Sequence, residues 1–136
     1  MIYFIGAGPG AADLITVKGK ELLEKADLII YAGSLVNPEL LNYAKPECII
    51  MDSAKMTLEE VIAAMVPAAQ AGKLVVRLHT GDPSVYGAHR EQIDLLRSYN
   101  LDFEIVPGVS SFCAAAACLD AEYTCLLYTS PSPRDA

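Results

Sequence analysis

Ile2-Tyr3-Phe4-Ile5 runs straight into Gly6-Ala7-Gly8-Pro9-Gly10, and Asp13-Leu14-Ile15-Thr16-Val17-Lys18-Gly19 follows. The apolar run predicts a buried strand. The glycines let backbone N–H groups approach a ligand closely, and a helix comes next. That order places a small-molecule site at the carboxyl end of a parallel sheet. Gly6-x-Gly8-x-x-Ala11 also satisfies the dinucleotide pattern G-x-G-x-x-G/A. The pattern needs a carboxylate at the end of the second strand to hold the ribose. Here Leu28-Ile29-Ile30-Tyr31 runs into Ala32-Gly33-Ser34, and Asp27 stands before that strand, at the wrong end of the sheet. Pro9 removes a further backbone donor from the loop. Dinucleotide binding is therefore disfavoured, and for this loop alone a tight turn without a ligand stays open.

Outward from this opening, apolar runs predict strands at 2–6, 28–32, 47–51, 73–79 and 102–106. Helical patterns fall at 16–25, 38–44, 57–71 and 85–98, with a last helix starting near Ser110. The 57–71 helix is well marked: Thr57 can cap it, Glu60 completes a capping box, and Gly72 ends it. Leu58, Val61, Ile62, Met65 and Ala69 make its apolar face at helical spacing. Strands that alternate with helices and are themselves continuously apolar predict an α/β fold. Its sheet is mainly parallel and five-stranded, with helices on both faces.

The bulk numbers agree. A chain of 136 residues with 53% apolar content fits one α/β domain and excludes disorder as its main state. No apolar stretch reaches the about 18 residues needed to span a bilayer, and Met1-Ile2-Tyr3 lacks a basic leader, so a cytoplasmic location is expected. Cys48, Cys113, Cys118 and Cys125 lack C-x-x-C spacing and read as small apolar residues, and His79 and His89 form no ligand cluster, so no metal is expected. A net charge of −7 disfavours nucleic acid as a partner.

From Cys125 the chain reads Cys-Leu-Leu-Tyr-Thr-Ser-Pro-Ser-Pro-Arg-Asp-Ala, and its two Ser-Pro pairs continue neither helix nor central strand. This stretch matches the translation of a transposon-type sequencing adapter from Cys125 to Asp135. The expectation is a native domain over 1–124, cut from a longer gene whose second domain is missing, followed by a non-native tail over 125–136; the alternative is a genuine Pro-rich tail.

Four Gly-bearing segments fall at the predicted carboxyl ends of strands: the Gly6–Gly10 loop, Tyr31-Ala32-Gly33-Ser34-Leu35-Val36, Thr80-Gly81-Asp82-Pro83-Ser84-Val85-Tyr86-Gly87, and Pro107-Gly108-Val109-Ser110-Ser111. Each alone also reads as plain structure: a turn with Asp82 capping the next helix, a tight exit at Pro107-Gly108, an N-cap at Ser110. Together they favour one shared site.

Gly-Ala-Gly-Pro-Gly with Asp-Leu-Ile-Thr-Val-Lys-Gly, Gly-Asp-Pro-x-x-Tyr-Gly, and Pro-Gly-Val-Ser-Ser resemble the tetrapyrrole methylases, S-adenosylmethionine-dependent enzymes of sirohaem and cobalamin biosynthesis. Tyr31-Ala-Gly-Ser-Leu-Val36, Arg77-Leu-His-Thr-Gly-Asp-Pro83 and Ser110-Ser-Phe-Cys-Ala-Ala-Ala-Ala117 are similar to the branch that methylates C11 of precorrin-4 or cobalt-precorrin-4. The resemblance covers residues 1–124. It implies S-adenosylmethionine held between this domain and a second one, a corrin-precursor substrate, and a homodimer when intact. By matching motif, Pro9, Thr80, Gly81, Asp82, Val85, Ser110 and Ser111 are implied to bind the methyl donor, largely through backbone. A macrocycle rich in carboxylates wants basic partners, for which Arg77, His79, Arg90 and Lys55 are candidates, each of them also readable as ordinary structural or surface charge. Uroporphyrinogen-methylating relatives carry an aspartate after the second-strand tyrosine. Ala32 stands there instead, which argues against that branch and removes one candidate base; no catalytic residue is assigned. A fragment lacking half the cleft is expected to be inactive. Alternatives are another tetrapyrrole methylase of different position specificity, a non-catalytic nucleotide-binding module and, more remotely, a diphthine synthase-like protein methylase.

Overall fold

The computed structural model describes residues 1–85 and 89–123. Tyr86 and Gly87 of the Gly-Asp-Pro segment, Ala88, Thr124 and the tail 125–136 lie outside the described residues. Five strands, β1 (Ile2–Gly6), β2 (Leu28–Tyr31), β3 (Ile49–Asp52), β4 (Val75–His79) and β5 (Phe103–Val106), form one sheet in the order β3-β2-β4-β1-β5. Every pairing is parallel. Gly6 faces His79, Ile5 faces Val106, and Tyr31 faces both Leu78 and Asp52, so all five strands end along one rim.

Helices α1 (Val17–Lys25), α2 (Leu58–Gln70), α3 (Arg90–Ser98) and α4 (Ser111–Cys118) follow the strands. Alternate residues of a strand point to opposite faces, and both faces here are apolar. Ile2, Phe4, Leu28, Ile30 and Val75 pack under Val61, Met65 and Val66 of α2 and Ile93 and Leu96 of α3. On the other face Ile5, Ile29, Val76 and Leu78 meet Leu23 of α1 and Leu40. Every residue of the central strand β4 is buried.

Local chemistry sets the boundaries. Thr16 caps α1 by accepting from Gly19 N–H (3.0 Å), and Thr57 caps α2 by accepting from Glu60 N–H (3.2 Å). Gly72, at φ +80°, closes α2 while Lys73 N–H bonds back to Ala68 O (3.0 Å). Because the helix end takes Lys73, the strand predicted from 73 begins only at Val75. Asp27 fastens the opposite end of the sheet, accepting from Leu74 N–H (2.9 Å) and pairing with Lys45 (2.7 Å). The Lys45 hydrogen bond holds its carboxyl below the ordinary aspartate range.

Three further expectations need correction. The 38–44 segment is a 3₁₀ helix (Pro38–Tyr43) capped by Asn37, the tighter form that suits a short connector. The strand predicted at 47–51 lies at Ile49–Asp52, since Cys48 N–H is used in a turn back to Lys45 O. The helix predicted from 85 begins at Arg90: Val85 N–H bonds Asp82 O in a turn, and His89 occupies the cap position without a side-chain cap bond. Among the described residues no helix is long and apolar enough to cross a membrane.

Candidate functional site

The rim loops are bonded to one another, and the tripeptide Thr80-Gly81-Asp82 after β4 is where the bonds converge. Gly81 and Gly8 exchange backbone hydrogen bonds in both directions (2.8 and 3.2 Å), an antiparallel bridge between the loops after β1 and β4. Thr80 Oγ1 donates to Leu35 O in the loop after β2 (2.9 Å). Asp82 Oδ2 accepts from Gly108 N–H in the loop after β5 (3.0 Å), and Oδ1 accepts from Ser84 N–H (2.7 Å). Asn37 Nδ2 adds a bond to Gly10 O (2.7 Å).

Such close approach requires glycine. A Cβ on Gly6 would lie 2.5 Å from Gly81 O, and one on Gly108 would lie 2.8 Å from Gly6 Cα and closer still to Gly81 O. Gly81 itself sits at φ +61°, where a side chain is strained.

A cavity of about 350 Å³ opens beside this junction, bordered by Ala32, Leu35, Arg77, His79, Thr80, Gly81, Asp82, Val85, Ser110 and Ser111. The structure thus gathers six of the seven residues expected at the methyl donor. Pro9 is the exception: it is half-buried, next to the Gly8–Gly81 bridge, and does not border the cavity. Of the basic candidates Arg77 and His79 border it. Lys55 is exposed after β3, and Arg90 is exposed on α3 beside Asp94 (3.7 Å), so neither lines the cavity. Asp82 does not cap α3, and Ser110, at the N-cap of α4, makes no side-chain cap bond. Sequence reasoning singled out the loop after β2 but assigned no site residue there; Ala32 and Leu35 line the cavity because the 3₁₀ turn Gly33–Leu35 folds that loop back over β4.

The floor of the cavity is a buried basic column. Arg77 is 7% exposed; Nη1 donates to Ile30 O (3.2 Å) and Nε to Gln92 Oε1 (3.3 Å). Burial brings its pKa down to about 10, so it stays charged at neutral pH. Among the described residues no carboxylate pairs with it. His79, two residues on and on the same face, stacks on Phe4 (5.9 Å between centroids) and meets the edge of His89 (6.0 Å). Burial, then the charges of Arg77 and His89, push its pKa down to about 3, so the ring is neutral. Among the described residues its buried Nε2 has no hydrogen-bond partner.

A five-stranded parallel sheet whose rim loops meet at a glycine junction, beside an arginine-floored cavity, marks a candidate small-molecule site. Residues 1–128 match the Tetrapyrrole (Corrin/Porphyrin) Methylases, and the chain belongs to that family. It is 59% identical over 123 residues to the cobalt-precorrin-4 C(11)-methyltransferase of Methanocaldococcus jannaschii, covering 90% of this chain and 48% of that protein. Identity to the cobalt-precorrin-4 C(11)-methyltransferase of Priestia megaterium is 52%, with the same shares covered. The fold superposes on the X-ray structure of a cobalt precorrin-4 methyltransferase with a TM-score of 0.92 at 50% identity, covering 96% of this chain and 54% of that one. It also superposes on a uroporphyrin-III C-methyl transferase from Thermus thermophilus complexed with S-adenyl homocysteine (TM-score 0.71, 34% identity, 85% of this chain and 47% of that one). The chain spans about half the length of the curated relatives it matches.

Proposed function

We propose that this chain forms one wall of an S-adenosylmethionine-dependent C-methyltransferase that acts at C11 of precorrin-4 or cobalt-precorrin-4, the rest of the length seen in its relatives supplying the other wall. The observation that carries the reading is the 59% identity to a cobalt-precorrin-4 enzyme, against 43% to a uroporphyrinogen-III C-methyltransferase of Bacillus subtilis. Ala32, with no acidic side chain to offer, borders the cavity on the same side of the argument.

The residues fit the donor. Thr80, Gly81 and Val85 and the start of α4 at Ser110 and Ser111 border the cavity, and a helix start offers unused N–H groups to a carboxylate. Pro9, in the adjoining loop, stands outside the cavity. S-adenosylmethionine supplies an activated methyl group, which an electron-rich ring carbon takes with its own electron pair as the carbon–sulfur bond breaks onto sulfur. The chain's work is alignment and exclusion of water, for which a rigid rim of backbone bonds is suited and a titrating side chain is not required. Arg77, charged and without a carboxylate of its own among the described residues, holds a substrate carboxylate, and neutral His79 lies beside it. Lys55 and Arg90 lie too far toward the surface to line the cavity.

The test is a chimera of residues 1–123 with the carboxyl-terminal half of the Methanocaldococcus jannaschii relative, supplied with the donor and precorrin-4 or its cobalt form. The expected product gains one methyl group, located at C11 by carbon-13 NMR, while the chain alone gives none. Methylation at another carbon would assign the chain to a different branch of the family.

A further inference from the structure

The geometry points to Asp82 as the positioning residue of this site. It clamps the loop after β5 to the loop after β4 and so sets where Ser110 and Ser111 stand relative to Thr80 and Gly81. The inference rests on the methyltransferase reading for its ligand but on the chain's own geometry for the clamp. An acidic residue on the border of a cavity meant for a cationic sulfonium invites a direct ionic role. Its hydrogen bonds run the other way: Oδ2 takes Gly108 N–H at 3.0 Å and Oδ1 takes Ser84 N–H at 2.7 Å, both main-chain donors of the rim.

The three attachments of the Thr80-Gly81-Asp82 hub divide the work. Gly81 reaches the first loop through backbone, Thr80 reaches the second through its hydroxyl, and Asp82 reaches the last through its carboxylate. Only the last of these bonds holds the loop that leads into α4. The Gly6–Gly81–Gly108 contact brings the two backbones close enough for so short a side chain to span them. Gly108 and Ser110 are two residues apart, so a shift at the clamped amide passes directly to the start of α4. A carboxylate suits the task because it accepts at both oxygens at once and binds amide donors more strongly than a neutral acceptor.

The test has two arms on the full chain. In the first, amide hydrogen exchange is followed by NMR without ligand in wild type, Asp82→Asn and Asp82→Ala. Gly108 N–H is expected to exchange about tenfold faster or more in both variants, while Ile5 in β1 keeps its protection and circular dichroism stays unchanged. In the second, affinities for S-adenosylmethionine and S-adenosylhomocysteine are compared. A clamp acts on geometry, so both ligands weaken by the same factor and their ratio is unchanged. Asp82→Asn, which keeps one acceptor, recovers part of what Asp82→Ala loses. A variant that weakens only the sulfonium ligand would make Asp82 a counter-ion and overturn the clamp. Unchanged Gly108 exchange would overturn it equally. If wild type binds neither ligand, one wall alone does not hold the donor; the chimera then decides the methyltransferase reading, and the exchange arm decides the clamp.

Discussion

At the residue scale, His79 sets a cost against a use. A buried imidazole nitrogen without a partner costs about 1–3 kcal/mol; His79 Nε2 has none among the described residues and stands beside a buried guanidinium at the floor of the cavity. The ring stays neutral in the folded chain down to about pH 3, whereas in the unfolded chain it gains a proton at its ordinary value near 6.5. Between those values the unfolded state binds the extra proton. The stability tied to His79 is therefore complete above pH 6.5 and falls as the pH drops toward 3, by up to about 1.4 kcal/mol per pH unit. Carboxylates titrate through part of the same window, so the comparison must be with a variant. His79→Phe keeps the ring on Phe4 and removes the nitrogen. It is expected to be at least as stable as wild type at pH 7 and to lose about 2 kcal/mol less between pH 6.5 and pH 5, measured as urea midpoints at each pH. Parallel pH dependence of the two proteins would mean that His79 is protonated or solvated in the fold. Such burial was not legible from the sequence, where a histidine at a strand end carries no sign of the Phe4 and His89 rings that enclose it.

At the scale of elements, the rim is held by loops meeting with no side chain between them. Gly108→Ala brings a methyl group into Gly81 O and Gly6 Cα, both main-chain atoms that cannot rotate away. Overpacking of this kind costs about 1–3 kcal/mol. The chain should lose that much in urea unfolding, and the Gly8–Gly81 bridge should lose exchange protection before the centre of the sheet does. Unchanged stability would mean that the loops part without cost. The glycines themselves were legible, because strand, glycine and helix signals are local and Thr16, Thr57 and Gly72 act within a few residues of their own positions. The start of α3 was not. Asp82 has the chemistry of a cap, yet it spends its oxygens on Ser84 and on Gly108, a partner twenty-six residues away that no local pattern announces. For the same reason the cavity loops could be read from the sequence while their mutual bonds, and the strand order β3-β2-β4-β1-β5, could not: both are long-range choices among pairings that leave each strand equally apolar.

At the scale of the whole molecule, the two faces of the sheet are covered, but the β5 side carries apolar surface that the described residues leave open. Ile105 on the edge strand, Phe112 and Leu119 on and just past α4, and Tyr123 are all exposed, Leu119 at 77%. Phe112 and Leu119 are two helical turns apart and so share a side of α4. Tyr123 lies against Phe112, its ring 5.6 Å away and its hydroxyl donating to Phe112 O, which joins these two side chains into one patch. Contiguous apolar surface of this kind marks an interaction face. The net charge of −7 opposes self-association at long range, and that opposition weakens as salt screens it. The chain is therefore expected to self-associate in sedimentation velocity, more strongly as protein and salt concentrations rise. Replacing Phe112 and Leu119 together by serine should return it to a monomer without lowering the unfolding midpoint, since neither side chain belongs to the two buried clusters. A wild-type chain that stays monomeric at high salt would mean that the patch is too small to hold a partner. A double variant that still associates would move the contact to another face, with Ile49 and Ile50 on the opposite edge strand the next apolar surface to examine.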